Sequence, residues 1–254
     1  MTPRTVRLRL RRLYGRLMEH YGPQGWWPTT PPEGTRPRYY PGDPLRSLTD
    51  EARWEIAAGA ILTQNTAWRN AEQALVALTA RGARQPRSLL ALGDAELATL
   101  LRPSGYYNQK ARRLRGLAAH VVERHGGRLD AWLGRPPGEL RGELLGLDGI
   151  GPETADCILL YAAGYPFFVI DAFTRRICSR LGLVDEGVGY GPLQELFTQA
   201  LPAEAAAYNE CHALLVRHAV VACRARPRCE DCPLRRGCSR GRQETPIDTQ
   251  HPGG

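Results

Sequence analysis

Lysine is almost absent from this chain: Lys110 is the one lysine among 254 residues, and the other Lys/Arg positions are all arginine. That leaves almost no side-chain amine able to act as a covalent nucleophile. Long apolar runs are missing too. No stretch of about 18 apolar residues occurs, which excludes a helical membrane span. The arginine-rich start TPRTVRLRLRRLYGRL has no apolar core of the kind a secretory signal needs. A cytoplasmic protein is expected. Nor does any segment alternate apolar and polar residues as a half-buried strand does, and even PFFVIDAF reads better as a run into a helix start.

What is present is an ordinary 43% of apolar residues, enough for a self-standing core, with a net charge of +8 and a pI near 9.4. Excess positive charge suits an acidic polymer, nucleic acid foremost. Residues 4–20 place Val6, Leu8, Leu10, Leu13, Leu17 and Met18 at helical spacing between arginines, the pattern of an amphipathic helix. Residues 22–44 hold too much Pro and Gly for a regular element and form a long loop, a type that is often functional in compact domains. From Ser47 onward, capping residues, acidic first turns and glycine stops delimit one helix after another. The fold class is all-α, and the tail 241–254 is expected to be disordered.

Cys223, Cys229, Cys232 and Cys238 lie in CRARPRCEDCPLRRGC with gaps of five, two and five residues. Such density in one loop is a metal-site pattern. Disulfides are the alternative, disfavoured because Cys157, Cys178 and Cys211 stand singly in apolar helical stretches and read as core residues. Zinc commonly takes two cysteine pairs from separate arms, whereas one C-x-x-C with single outliers wraps a cube. The spacing therefore favours a [4Fe–4S] cluster over zinc, although both accept four thiolates. Arginines including Arg226 and Arg228 make the loop positive and suited to phosphate.

In LDGIGPETA, Gly149 and Gly151 permit a tight turn and Pro152 falls at about the first helical position. The segment Gly149, Ile150, Gly151 and Thr154 then presents backbone to a phosphate with the positive end of the helix dipole behind it. Twenty residues past Gly151, Asp171 follows an aromatic and branched run. An acid in that place is a helix N-cap, a catalytic carboxylate, or both.

Taken in order, ILTQNT, GYYNQKA, LDGIG, VIDAFTRR and the four-cysteine loop resemble the helix-hairpin-helix (HhH-GPD) DNA glycosylases of the endonuclease III superfamily. The likeness runs from about residue 45 to Cys238, with a first cysteine gap one residue shorter than in endonuclease III. It implies a six-helix lobe at 46–165 that contains the hairpin. It implies a second lobe built from both chain ends, 1–45 and 166–240, that carries the cluster. The implied partner is duplex DNA containing a damaged base, flipped out to Asp171. That aspartate would stabilise an oxocarbenium-like sugar while water or an amine attacks C1′. Gln64 corresponds to a residue that fills the gap left in the stack, and Tyr106 to a wedge entering the opposite strand, or else to an aromatic packed inside the lobe. Glu153 stands where strand-cutting members carry the lysine that forms a Schiff base. Lys110 lies in GYYNQKA, where the family's lysine is not the nucleophile, so a monofunctional enzyme without lyase activity is expected.

Trp26 and Trp27 resemble the tandem tryptophans of the 3-methyladenine branch of the superfamily. An N3-alkylated purine is cationic, and aromatic faces attract and stack on it. Packing of the Pro-rich loop onto the helices is the other reading of this pair. The expected protein is thus a monomeric, nucleoid-associated glycosylase for alkylated purines such as 3-methyladenine. The alternatives are an endonuclease III-like enzyme for oxidised or deaminated pyrimidines with little lyase activity, and a catalytically weak protein that binds lesions or DNA structures. His212 and His218, six apart, read as packing or supporting groups, and Glu55 and Glu210 have less claim still to chemistry.

Overall fold

Apolar spacing and capping chemistry set the helices. In the computed structural model, which describes residues 2–43 and 46–243, helix α1 (Pro3–Tyr21) starts where the Thr2 hydroxyl accepts from the Thr5 amide and stops at Gly22, φ 67°. Its buried residues are Val6, Leu10, Leu13 and Leu17. Leu8, expected on the same stripe, is 46% exposed. At 3.6 residues per turn, two residues past Val6 is roughly the opposite side of the helix.

The helices that follow are α2 (Asp50–Leu62), α3 (Trp68–Ala80), α4 (Pro86–Leu90), α5 (Asp94–Leu101), α6 (Tyr107–His125), α7 (Leu129–Leu133) and α8 (Pro137–Leu145). They continue as α9 (Pro152–Tyr161), α10 (Ala172–Arg180), α11 (Tyr190–Ala200), α12 (Ala205–Val221) and α13 (Ser239–Gln243). Among the described residues there is no strand, only an isolated bridge between Thr29 and Arg38. The fold is all-α, as expected. Among the described residues, no helix is long and apolar enough to cross a membrane.

The chain sorts into two units. One comprises residues 2–24, Ile170–Pro202 and 211–243, the other Gly25–Val169 and Ala203–Glu210. In the first, α1 packs on α11. Arg7 donates to the Gln199 side-chain oxygen at 2.9 Å and Arg11 to the Ala200 carbonyl at 2.5 Å. In the second, α2 packs on α9 and α3, α6 on α4 and α5, and α8 on α9. Trp54, Ile61, Leu97, Leu114, Trp132 and Ile158 are at most 1% exposed there. Each large apolar side chain so buried contributes about 1.5–3 kcal/mol. Beside the start of α12, the described residues of this unit form six helices of eight residues or more, α2, α3, α5, α6, α8 and α9, with α4 and α7 of five residues each.

The sequence groups residues 1–45 with the cysteine-bearing lobe, but residues 25–43 pack with the helices that follow them. A proline-rich loop makes no ladder, so side chains must meet its backbone groups. Glu55 of α2, 8% exposed, accepts from the Thr30 amide at 3.0 and 3.1 Å and from its hydroxyl at 2.9 Å. Arg84 donates to the Thr30, Pro31 and Pro32 carbonyls. Glu55 is therefore a structural carboxylate. At the other end of the chain, Gly241–Gln243 finish α13, and the rest of the expected tail lies outside the described residues.

Candidate active site and nucleic-acid interface

The approach to α10 places Asp171. Phe168, Val169 and Ile170 are buried to within 1%, and the chain then turns so that Asp171 caps the helix, its Oδ1 accepting from the Thr174 amide at 2.7 Å. Capping uses one oxygen. The other, Oδ2, lies 3.7 Å from Nε2 of His212 on α12, with the two side chains 14% and 7% exposed. Burial pushes the carboxyl up, but His212 and the Thr174 amide more than offset this and hold it below the usual carboxylate range. Asp171 is thus both a cap and a buried anion, the pairing that can stabilise positive charge developing beside it. Sequence reading missed His212 as its partner. The six-residue spacing weighed its pairing with His218, whereas the relevant neighbour lies on α10's N-terminus.

The hairpin between α8 and α9 is built from its glycines. Gly149 has φ 73°, and a Cβ there would strike the Arg113 side chain. Gly151 caps α9 with ordinary φ −90° and open space beside it, and Pro152 occupies the first helical turn. Ile150 is 4% exposed and Thr154 6%, so these two hold the turn from within, while Gly151, Pro152 and Glu153 are exposed. Gln64 fastens the turn from the end of α2. Its Nε2 donates to the Gly149 carbonyl at 3.0 Å and the Thr154 hydroxyl at 2.9 Å, and its Oε1 accepts from Arg113 at 2.6 Å. Arg141 of α8 grips the fully buried Asp156 of α9 through two bonds of 2.7 and 3.3 Å.

Tyr106 is 69% exposed and sits at the N-cap of α6 in the left-handed region, φ 46° and ψ 33°. It is not packed inside. For a bulky L residue that conformation costs about 1–3 kcal/mol, a cost that collects at functional positions. The tandem tryptophans divide. Trp27 is 4% exposed, its ring 5.5 Å from Trp68 and 5.4 Å from Tyr161, so the packing reading describes it. Trp26 is half-buried, with Trp68 at 4.9 Å and Tyr39 at 6.0 Å. Trp68 and Tyr39 were not singled out from the sequence, although Trp68 closes the stretch ILTQNTAW.

The four cysteines of the loop line one small cleft, partly open to solvent, together with Arg180, His218 and Leu234. Arg180 donates to the Cys223 sulfur at 3.5 Å and to the Arg224 and Ala225 carbonyls, and the Arg176 guanidinium holds the Cys223 carbonyl at 3.0 Å. His218, 1% exposed, bridges Tyr21 Oη at 3.0 Å and the Cys232 sulfur at 3.8 Å. Four thiols lining one cleft are a donor set that fits a [4Fe–4S] cluster. Arg226 and Arg228 are exposed on the loop, and Cys157, Cys178 and Cys211 are buried, as read from the sequence.

The one lysine is sequestered. Lys110 is 1% exposed, and its Nζ donates to the Leu62 carbonyl at 2.8 Å and the Ser104 carbonyl at 2.6 Å. Burial and the charge of Arg113 push its pKa down to about 8.

An all-helical chain with a glycine hairpin, a capping aspartate on the helix run that follows and a four-cysteine loop is the class of helix-hairpin-helix repair proteins. The chain belongs to the HhH-GPD superfamily of base excision DNA repair proteins, whose family model matches residues 58–203. A Methanocaldococcus jannaschii protein with the provisional name DNA repair glycosylase MJ1434 is 37% identical over 89% of this chain and 94% of its own length. Endonuclease III of Escherichia coli is 30% identical over 61% of this chain and 69% of its own length. Among solved structures, an endonuclease III–DNA complex superimposes with a TM-score of 0.73 at 19% identity, covering 96% of this chain and 98% of that one. A Helicobacter pylori 3-methyladenine DNA glycosylase bound to 1,N6-ethenoadenine does so with 0.64 at 23% identity, covering 87% and 98%. The protein is a base-excision DNA glycosylase of this superfamily.

Proposed function

We propose that the protein is a monofunctional glycosylase that releases an alkylated purine, 3-methyladenine in type, from duplex DNA. Water attacks C1′ of the flipped nucleotide, the C1′–N bond breaks and an abasic site remains. The observation that carries this reading is the position of Lys110: the only lysine is buried and engaged by two carbonyls, while Glu153 occupies the first turn of the hairpin helix. No lysine amine is then available for a Schiff base. Asp171 stabilises the sugar cation and assists the water. An alkylated purine leaves as a neutral base, so the leaving group needs no added proton.

Trp26, backed by Trp27, stacks on the cationic base. Tyr106 wedges the duplex, and Gln64, on giving up its bonds to the hairpin and Arg113, fills the gap left behind. The hairpin segment Gly149, Ile150, Gly151 and Thr154, with Arg226 and Arg228, grips backbone phosphates. Cys223, Cys229, Cys232 and Cys238 would hold a [4Fe–4S] cluster, which cross-links and stiffens the arginine loop. The enzyme works as a monomer in the cytoplasm, on the nucleoid.

Two assays test this. Borohydride added during turnover should trap no protein–DNA adduct, and a trapped adduct would refute the monofunctional reading. A panel of duplexes should show release of 3-methyladenine. Efficient release of thymine glycol without it would instead place the enzyme with the glycosylases of oxidised pyrimidines.

A further inference from the structure

His120 and His125 are five residues apart on α6, a spacing that separates side chains around a continuous helix. They converge because His125 is the last helical residue and the chain turns out through Gly126 and Gly127, φ 63° and 78°. Helix α8 supplies Glu143 opposite them. Both imidazole Nε2 atoms lie against the same carboxylate oxygen, Oε1, that of His125 at 2.5 Å. The three donor atoms all gather within 4.8 Å of one another. The second carboxylate oxygen is already engaged. Arg135 donates to Oε2 at 3.0 Å while also binding Glu139 at 2.9 Å, which fixes the carboxylate with Oε1 turned to the histidines. The side chains of His120, His125 and Glu143 are 18%, 9% and 14% exposed, so the trio is shielded but reachable.

Two imidazole nitrogens and one carboxylate oxygen gathered within 4.8 Å of one another are a ligand set for a borderline metal ion. The C-terminal end of α6 adds partial negative charge where a cation would sit. We propose that His120, His125 and Glu143 form a binding site for a divalent transition metal of the zinc class, with nitrogen and oxygen ligands, separate from the four-thiolate loop. Bound metal would tie the end of α6 to α8, the helix that leads into the hairpin. Its role is to brace that helix rather than to act on substrate.

The test uses the full-length protein with its cysteine loop loaded and iron counted separately. After exposure to a mild chelator, ZnCl2 should restore about one equivalent of zinc per chain and raise the melting temperature. Cobalt in place of zinc should give d–d bands without the near-ultraviolet charge-transfer absorption of thiolate ligands. His120→Gln and Glu143→Gln should each weaken zinc binding by more than about 100-fold, beyond the range typical for loss of an outer-shell partner, and abolish the thermal shift. Zinc binding unchanged in both variants, a thiolate-type cobalt spectrum, or no binding by the wild type would overturn the proposal and leave the trio as a hydrogen-bonded clasp. The cobalt spectrum is read on wild type and so stands even if a variant fails to fold.

Discussion

His212 Nε2 lies 3.7 Å from Asp171 Oδ2, brought there by a helix that begins at Ala205. One aspartate therefore does two jobs with two oxygens, Oδ1 closing the first turn of α10 and Oδ2 facing a histidine. Asp171→Asn separates these jobs. Asparagine caps a helix about as well as aspartate, so melting and DNA affinity should change little, while base release should fall by roughly 100-fold or more, the scale of losing one electrostatic stabiliser. An active Asn variant would remove Asp171 from the chemistry.

His212→Gln addresses the charge on that carboxylate. Its folded pKa is depressed below the ordinary 3.8, so the associated stability is present above that value and lost as pH falls through the folded one. Without His212 the carboxyl should move up, because burial is then less opposed. The acid limb of the pH–rate profile should shift toward neutrality, while at alkaline pH the rate recovers. A limb that stays in place would mean that His212 does not act through Asp171.

Lys110 carries a pH dependence of opposite origin. Its pKa falls from 10.5 to about 8 on folding. Below pH 8 both states are protonated. Between there and 10.5 the unfolded chain keeps a proton the folded one has released, so stability rises with pH, by up to ~3 kcal/mol. Denaturant melts at pH 7.5 and 10 should show this rise in the wild type relative to Lys110→Met; equal slopes for the two proteins would contradict it.

The two hairpin glycines should respond unequally. Gly149→Ala meets a positive φ and the Arg113 side chain. It should cost about 1–3 kcal/mol in stability and weaken binding to damaged and undamaged duplexes alike. Gly151→Ala, at φ −90° in open space, should cost well under that. Comparable losses at both positions, in melting and in gel-shift titrations, would contradict the distinction.

Tyr106→Gly offers the reverse trade. Relieving the left-handed conformation should raise stability by about 1 kcal/mol, while removal of the exposed ring, if it wedges the duplex as proposed, should slow base release on duplex substrates. A melting temperature that falls together with activity would point to packing instead of wedging.

Much of the site was legible along the chain because its chemistry is local. The cap at Asp171, the glycine and proline positions of the hairpin, and the cysteine spacing each depend on residues within a turn or a loop. What was misplaced involved contacts distant in sequence. Leu8 looked buried, Trp27 and Trp26 looked equivalent, and residues 25–43 looked like part of the other lobe until Glu55 and Arg84 were seen to hold that loop.

Periodicity and capping along the chain are sufficient for the all-α class, since a helix is bonded within itself and its ends are marked by a few side chains. Composition alone leaves only one lysine to consider. Which side chains meet is a different matter, because a linear pattern carries no distance between residues remote along it. The burial of Lys110 against two carbonyls, the pairing of His212 with Asp171, the hold of Gln64 on the hairpin and the convergence of His120, His125 and Glu143 all come from helix packing. Packing depends on the shapes of whole faces, and it turned an isolated lysine into an inaccessible one.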